Sequence, residues 1–187
     1  MEFTIQVSGI AGILTPLKLV MSMNSKTANA TPKAPGFTPG SCAGSVSYVC
    51  VSAGTGTAKL QVAEVLLIAE KGFQGDGHAG TIRQVSLLQR EHVDAFNAGH
   101  SLNAQPGDFA ENIQTRGIDL GAIRVGDLLR LGTALLEVTQ IGKATKPHHY
   151  AFHGHRLLPA RGAFCRVLEN GLVQVGTPLW VESKVRR

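Results

Sequence analysis

Cysteines and long apolar runs are both scarce in this chain. Three cysteines, Cys42, Cys50 and Cys165, occur among 187 residues, and none of them forms a CxxC pair. A disulfide framework needs a denser, even-numbered set, so we expect a reduced, cytoplasmic protein. The apolar stretch over residues 3–23 is interrupted by a proline and a lysine, which argues against a transmembrane helix and against a membrane partner.

Aromatic and charged residues are also limited. They make up 5% and 17% of the chain, which has a net charge of +5 and a pI near 9.4. Because no aromatic-rich basic stripe accompanies this charge, we do not expect nucleic acid as a partner. The positive excess fits either an anionic partner or a solvated basic tail, since Lys184, Arg186 and Arg187 lie within the last four positions.

Glycine, by contrast, is abundant. The chain has 22 glycines, many of which separate short apolar runs in the way typical of an all-β protein. The first strand is predicted where Val46, Tyr48 and Cys50 alternate with their neighbours, and about eight strands are predicted altogether. We expect a mainly β fold, a small closed or partly closed β-barrel with one or few short helices, because closure removes exposed strand edges.

Local signals mark one helix and two hairpins. Apolar residues at helical spacing predict a helix over residues 90–98 that ends at Gly99 as a C-cap. Hairpins are predicted at residues 132–133 and at residues 170–171. The second of these is the stronger signal, because Asn-Gly tolerates positive φ at both positions.

Residues 1–44 differ from the rest. Residues 24–44 are rich in Ser, Thr, Pro, Gly and Ala without periodicity, which predicts a linker. Residues 28–30 resemble a signal-peptidase site, but no basic region precedes the apolar stretch. Translation that starts at Met21 or Met23 is an alternative. We therefore predict three parts: a poorly packed extension over residues 1–44, a barrel domain over residues 45–183 and a basic tail over residues 184–187.

The first stretch that could carry chemistry is Gly-Asp-Gly-His-Ala-Gly at residues 75–80. Its glycines permit a tight turn and a close approach of backbone to a ligand. Five polar side chains lie in or just after this turn: Asp76, His78, Arg83, Gln84 and Ser86. Arginine suits bidentate contact with phosphate or carboxylate. A structural alternative is that Asp76 caps the turn and pairs with Arg83.

A second stretch lies within the strand predicted over residues 109–115. Glu111 and Asn112 are adjacent there, so they would face opposite sides of the strand. A glutamate on an inward face is costly unless it is paired. Either Arg83 or Arg166 is a candidate partner for Glu111.

A third stretch, residues 142–155, contains Lys143 and four histidines. Their spacing is not that of a helical HxxxH site, and no cysteine or acidic residue lies among them. We therefore predict no metal site, since zinc needs three or four ligands in fixed geometry. A partly protonated, anion-binding loop is favoured instead.

The fourth stretch contains Cys165 and Arg166, which would alternate faces of a strand. Arg166 could reach the same mouth as Arg83, and a nearby cation would lower the pKa of the thiol and favour thiolate. Cys165 is therefore the candidate catalytic residue. The alternative is that Cys165 is a small core residue.

These stretches, in this order, resemble the MOSC domain family, the molybdenum-cofactor-sulfurase C-terminal domain, and its free-standing bacterial members in particular. The matching segments are residues 75–80, 83–88, 106–113, 117–120, 125–127, 135–140 and 162–168. The resemblance implies a β-rich barrel that binds molybdenum cofactor (molybdopterin). It further implies sulfur transfer or reduction of N-hydroxylated compounds, with a sulfur-donor or redox protein as partner.

The sequence departs from the family at its cysteine. The family's usual pattern is Gly-Lys-x-Cys-His, and here Thr145 stands where that cysteine would be. A second family cysteine is replaced near His149. A hydroxyl cannot form a persulfide, so anion recognition carries over better than thiolate chemistry.

Three functions remain open: a cofactor-dependent enzyme or sulfur carrier, a module that binds the cofactor or another anionic small molecule without the thiolate, and a partner-binding barrel without ligand. The candidate ligand-binding residues are Asp76, His78, Arg83, Gln84, Ser86, Glu111, Asn112, Lys143, Thr145 and Arg166. Seven of these are expected to converge on one cleft, with residues 142–155 at its rim: Asp76, His78, Arg83, Ser86, Glu111, Asn112 and Arg166.

Overall fold

A computed structural model describes residues 43–182 of the chain. The predicted basic tail and nearly all of the predicted extension therefore lie outside the described residues. The strands are β1 Ala43–Val51, β2 Leu60–Val62, β3 Glu64–Ile68, β4 Gly72–Phe73, β5 Val85–Gln89, β6 Ile113–Arg116, β7 Leu128–Leu131, β8 Ala134–Ile141, β9 Ala163–Glu169, β10 Gly171–Gln174 and β11 Pro178–Glu182. The two helices are α1 Arg90–His100 and α2 Leu157–Arg161.

Seven of the strands close into a barrel. Their order is β11-β7-β8-β9-β5-β6-β1, and β1 pairs back onto β11, while β2 extends the sheet along the far half of β1. The β5–β6 pair is parallel and the other pairs are antiparallel. The predicted mainly β barrel with few short helices is thus confirmed. Closure leaves these seven strands without a free edge between β1 and β11.

The parallel pair β5–β6 requires a crossover, and the crossover supplies α1. Val93 and Phe96 are the buried face of this helix. The helix runs slightly past its predicted end: its C-cap is Ser101, with φ of 53° in the left-handed region, and Gly99 lies within the helix. Along the described residues, no helix is long and apolar enough to cross a membrane.

Strand β1 is interrupted by a bulge. Its pairing with β6 shifts register between Val46 and Tyr48. Val46 and Val49 consequently belong to the main core, whereas Tyr48 is only half-buried. The strict alternation predicted for this strand therefore fails, because an inserted residue shifts which side chains face the core.

The two predicted hairpins have different outcomes. β7 and β8 pair across Gly132 and Thr133, with Leu131 opposite Ala134, so this hairpin is confirmed. The hairpin predicted at residues 170–171 is wrong. The chain leaves the barrel after β9, and β10 pairs with β3 and not with β9.

The chain instead switches sheets at Asn170. The side chain of Asn170 accepts a hydrogen bond from the backbone N–H of Ala69, at 2.7 Å. Gly171 is required for close approach, since a Cβ there would lie 2.4 Å from the backbone nitrogen of Ala134. The second sheet has the order β10-β3-β4.

Two apolar clusters hold the elements together. The main core fills the barrel and includes Leu67 and Phe73 of the second sheet. A smaller cluster lies between α1, α2 and β9 and is made of Leu88, Val93, Phe96, Ala104, Phe109, Leu158 and Phe164. Burying such side chains contributes about 1.5–3 kcal/mol each. The smaller cluster matters most for function, because three of its members line the cavity described next.

Candidate functional site

A cavity of about 340 Å³ opens beside the smaller apolar cluster. Phe109, Leu158 and Phe164 form its apolar part. Its polar and basic lining side chains are Thr55, His78, Arg83, Ser86, Lys143, His148, His149, Tyr150, His155 and Arg156. None of the lining residues is acidic. The arrangement is suited to a small ligand with an apolar body and a negative charge.

His78 reaches this cavity from the glycine-rich turn. Gly75 and Gly80 have φ near +80° and +76°, a backbone conformation that glycine adopts without steric cost. Gly77 packs so closely on the loop after β1 that a Cβ would lie 2.8 Å from the backbone oxygen of Ala53. The turn is therefore fixed by backbone contacts, which places His78 at one side of the cavity.

A buried polar network lies behind the cavity wall. Asp76 is fully buried and forms an ion pair with Lys59, whose side chain is also buried. Asn112 donates to Asp76 Oδ2 at 2.8 Å and accepts from the Ser86 hydroxyl at 2.9 Å. The backbone N–H of Asn112 donates to Ser86 Oγ at 3.0 Å. Ser86 and His78 both line the cavity and thus connect it to this network.

Asp76 is ionised in this network. Burial by itself would raise the pKa of Asp76, but hydrogen bonds from His78 and Lys59 outweigh burial and hold the pKa well below its usual range. A buried carboxylate is tolerated only when it is paired and hydrogen-bonded. The structural alternative of an Asp76–Arg83 pair is replaced by a pair with Lys59, a residue the sequence did not single out.

The cations of the cavity come from different elements. Arg83 lies just before β5, Lys143 follows β8, and Arg156 immediately precedes α2. Burial and the neighbouring charge of Arg83 lower the pKa of Lys143. Two like charges that face one cavity repel each other, and a bound anion would offset that repulsion.

Residues 142–156 form one wall of the cavity, as a loop held by backbone and ring contacts. Arg156 donates to the backbone oxygens of Pro147 and His149, at 2.9 and 3.0 Å. The Tyr150 hydroxyl donates to the backbone oxygen of Asp108 at 2.9 Å. His155 packs edge-on against Phe96, with ring centroids 4.9 Å apart. Within residues 43–182, no group of three or more potential ligands could hold a metal ion.

Of the seven side chains expected to share one cleft, three line the cavity: His78, Arg83 and Ser86. Asp76 and Asn112 lie one hydrogen bond behind it. Lys143, placed with these residues by the sequence, also lines the cavity. The remaining predicted residues have other surroundings.

Glu111 and Gln84 have structural partners. Glu111 is fully buried and accepts hydrogen bonds from the backbone N–H groups of Gly107 and Phe109 and from Gln114. Burial raises the pKa of Glu111, against the effect of these donors. Gln84 bridges the backbone oxygen of Glu70 and the backbone N–H of Val167.

Residues 109–112 are not in a strand, because β6 begins only at Ile113. Gly107 and Ala110 adopt positive φ, 92° and 66°. The segment is therefore a turn that wraps around Glu111. The interpretation of residues 109–112 as strand, with Glu111 paired to an arginine, is corrected accordingly.

Arg166 does not line the cavity. Its partner is Glu137, directly across the β8–β9 ladder, with nitrogen and oxygen 2.6 Å apart. Thr145 is exposed and is likewise not among the lining residues. Both side chains were expected near the ligand. The strand register places Arg166 beside Glu137, and Thr145 lies on the loop after β8 with its side chain exposed.

The two described cysteines are core residues. Cys165 is fully buried, and burial raises the pKa of its thiol well above the usual range. Burial, with a smaller contribution from Glu111, raises the pKa of Cys50 to about 12. Both thiols are therefore protonated at neutral pH. The alternation of Cys165 and Arg166 holds, but the cysteine faces the apolar side.

Sequence reasoning missed several residues of the site. Lys59 follows a polar loop, and nothing in its immediate sequence indicates burial. Arg156 directly follows the histidine-rich stretch and Tyr150 lies within it, so both could have been included as a further cation and a further donor of that loop. Phe109 was assigned to a strand and was not among the candidate ligand-binding residues, although it lines the cavity.

Residues 74–180 match the sequence model of the MOSC domain, which is more than half of the chain. The chain belongs to the MOSC domain family. The matched region contains His78, Arg83 and Lys143, so the cavity lies largely within the family's own domain.

Relatives of known structure share this fold. Protein YiiM of Escherichia coli strain K12 is 33% identical over 93 residues, which are 44% of this chain and 41% of that protein. The chain thus aligns with about two fifths of this curated relative. A crystal structure of YiiM from Escherichia coli has a TM-score of 0.56 at 26% identity and covers 76% of this chain and 72% of its own. The YUAD protein of Bacillus subtilis, at 16% identity and TM-score 0.61, covers 75% and 96% and shows the fold alone.

Proposed function

We propose that this MOSC domain binds a small anionic ligand in the cavity, and that a phosphate-bearing pterin, the organic part of molybdenum cofactor, is the leading candidate. The observation that carries the proposal is the lining of the cavity. Arg83, Lys143 and Arg156 face one space that has no acidic residue on its walls. Phosphate suits such a site because guanidinium groups can contact it bidentately.

The apolar part of the cavity supports a ligand with a flat organic body. Phe109 and Phe164 lie on the same walls as the cations. A ring packed on an aromatic side chain buries apolar area, while a phosphate held at the basic end fixes the orientation. The cavity volume of about 340 Å³ lies near the lower end of the range for small-molecule sites.

The described residues fit the phosphate of such a cofactor but not thiolate ligation of its metal. Cys50 and Cys165 are buried away from the cavity, and Thr145 replaces the family cysteine on an exposed loop. Anion binding without the family thiolate is the function that this geometry supports best.

The second candidate is an enzyme of the family type, active in sulfur transfer or in reduction of N-hydroxylated compounds, with a sulfur-donor or redox protein as partner. Membership of the MOSC family favours it. The two candidates differ in what co-purifies from a host that makes the cofactor. Pterin or another small anion without metal supports the binding module, whereas stoichiometric molybdenum with pterin supports the enzyme.

Binding can be measured directly with pyrophosphate as the probe, by isothermal titration. Removing one charged contact from a desolvated site costs about 1.5–3 kcal/mol, so Arg83→Ala should weaken binding roughly tenfold or more. Thr145→Ala is the matched control, since Thr145 is exposed and outside the cavity lining, and it should leave the affinity unchanged. Equal affinities for Arg83→Ala and the unmodified protein, or no measurable binding by the unmodified protein, would contradict the proposal.

A further inference from the structure

We propose that His78 is the acid–base residue of this cavity, and that Asp76 is the positioning residue that holds its ring so that Nε2 exchanges a proton with the bound ligand. The inference rests on the proposed function, since the ligand is the anion held by Arg83 and Lys143. It gives His78 a role in proton exchange in addition to a contact with the anion.

The carboxylate of Asp76 fixes the ring through one oxygen. Asp76 Oδ1 accepts from the backbone N–H of His78 at 3.0 Å and lies 3.3 Å from His78 Nδ1. Asp76 Oδ2 accepts from Lys59, from Asn112 and from the backbone N–H of Ser52. With both oxygens engaged and no exposed surface, the carboxylate cannot turn away from the ring.

The charge of Asp76 decides which ring nitrogen carries the proton. An ionised carboxylate only accepts hydrogen bonds, and the pKa of Asp76 is held low as described above. The nitrogen that faces it must then be the donor, so neutral His78 is the Nδ1–H tautomer. Its lone pair lies on Nε2, and His78 lines the cavity with about a third of its side chain exposed.

The turn itself does not need the imidazole. The backbone N–H of His78 already satisfies Asp76 Oδ1, and any residue supplies that group. The ring adds one 3.3 Å contact to Asp76, and it lines the cavity together with Arg83 and Lys143, the cations that would hold an anion.

The proton transfer balances within the site. An acidic O–H of the ligand, such as that of a monohydrogen phosphate group, gives its proton to Nε2, and the imidazolium formed is stabilised by the Asp76 carboxylate. The reverse step returns the proton to the same oxygen. The other titratable or charged groups that face this space are Arg83, Lys143, His148, His149, Tyr150, His155 and Arg156.

Nitrogen-15 NMR of the uniformly labelled full chain tests the proposal, with pyrophosphate as the probe. Comparison with His78→Gln assigns the His78 ring signals, and His153, which is exposed and outside the cavity lining, is the internal reference. We expect shifts of the Nδ1–H tautomer for neutral His78, and a change at its Nε2 on addition of pyrophosphate while the His153 signals stay fixed. His78→Gln should weaken pyrophosphate binding on the order of threefold to tenfold.

The outcomes separate this inference from the proposed function. A neutral His78 with the proton on Nε2 overturns the inference whether or not pyrophosphate binds. Pyrophosphate binding that depends on Arg83 but leaves the His78 Nε2 signal unchanged also overturns the inference. In that case the proposed function stands. Absence of pyrophosphate binding overturns both the proposed function and the proton exchange with an anion. An Asp76→Asn variant that folds and keeps the Nδ1–H preference unchanged would remove Asp76 from its positioning role.

Discussion

The buried pair of Asp76 and Lys59 allows the most demanding test of the network behind the cavity. Both side chains are almost completely buried, so removing one charge leaves the other in a low-dielectric interior. Breaking such a pair from one side costs about 3–5 kcal/mol. Asp76→Asn keeps the size and one acceptor oxygen, and we expect a loss near the lower end of that range. For a domain of this size, that loss corresponds to a fall in Tm on the order of 10 °C.

Urea denaturation followed by the fluorescence of Trp180, the single tryptophan, measures this loss. The matched variants are Lys59→Met, which removes the cation, and the double variant Asp76→Asn with Lys59→Met, in which neither member of the pair carries a charge. If the two groups interact as the structure shows, the double variant should lose less stability than the sum of the single variants, by about 2 kcal/mol.

The same pair predicts an acid dependence with a defined sign. The pKa of Asp76 is lower in the folded protein than in the unfolded chain, so its contribution to stability is present above about pH 4 and is lost as the pH falls below that value. Asp76→Asn should therefore flatten the fall in stability on the acid side. A single-variant loss below 1 kcal/mol, or additive losses in the double variant, would refute the account of a coupled buried pair.

Two further predictions concern close packing and sulfur. Gly171→Ala should destabilise the domain by about 2 kcal/mol or more, because its Cβ would collide with the backbone at Ala134. Gly99→Ala, in open space within α1, should be neutral or stabilising by about 0.5–1 kcal/mol in the same urea titration. Cys165→Ser should cost about 1–3 kcal/mol by burying a hydroxyl, yet Cys165→Ala should leave pyrophosphate affinity unchanged; a loss of affinity in Cys165→Ala would give the thiol a role at the site.

Local signals in the sequence predicted local structure well. The helix after β5 and the hairpin at residues 132–133 depend on residues that are neighbours in the chain, and both are present. Asn170-Gly171 has the same local signal as a hairpin, yet β10 pairs with β3, about 100 residues away in the chain. Partner choice between strands depends on the whole barrel, which a short motif does not contain.

In the candidate site, too, residues close together in the sequence were predicted, whereas contacts between distant segments were not. His78, Arg83 and Ser86 were found because a glycine-rich turn and the strand after it bring polar groups together over a short stretch. Arg166 was misplaced because the face of a strand depends on its register, and its cross-strand neighbour is Glu137. Lys59 was missed because its carboxylate partner lies 17 positions away.

Pairing between β1 and β11 makes the closing step of the barrel a contact between segments about 135 residues apart in the chain. During synthesis, β1 leaves the ribosome long before β11 exists, so half of its edge lacks its final neighbour for most of translation. Contacts of such sequence separation are slow to form, because the chain must first close a large loop. Removing residues 178–182 would open the barrel between β1 and β7. Both strands would then have an unpaired edge that can pair with another chain.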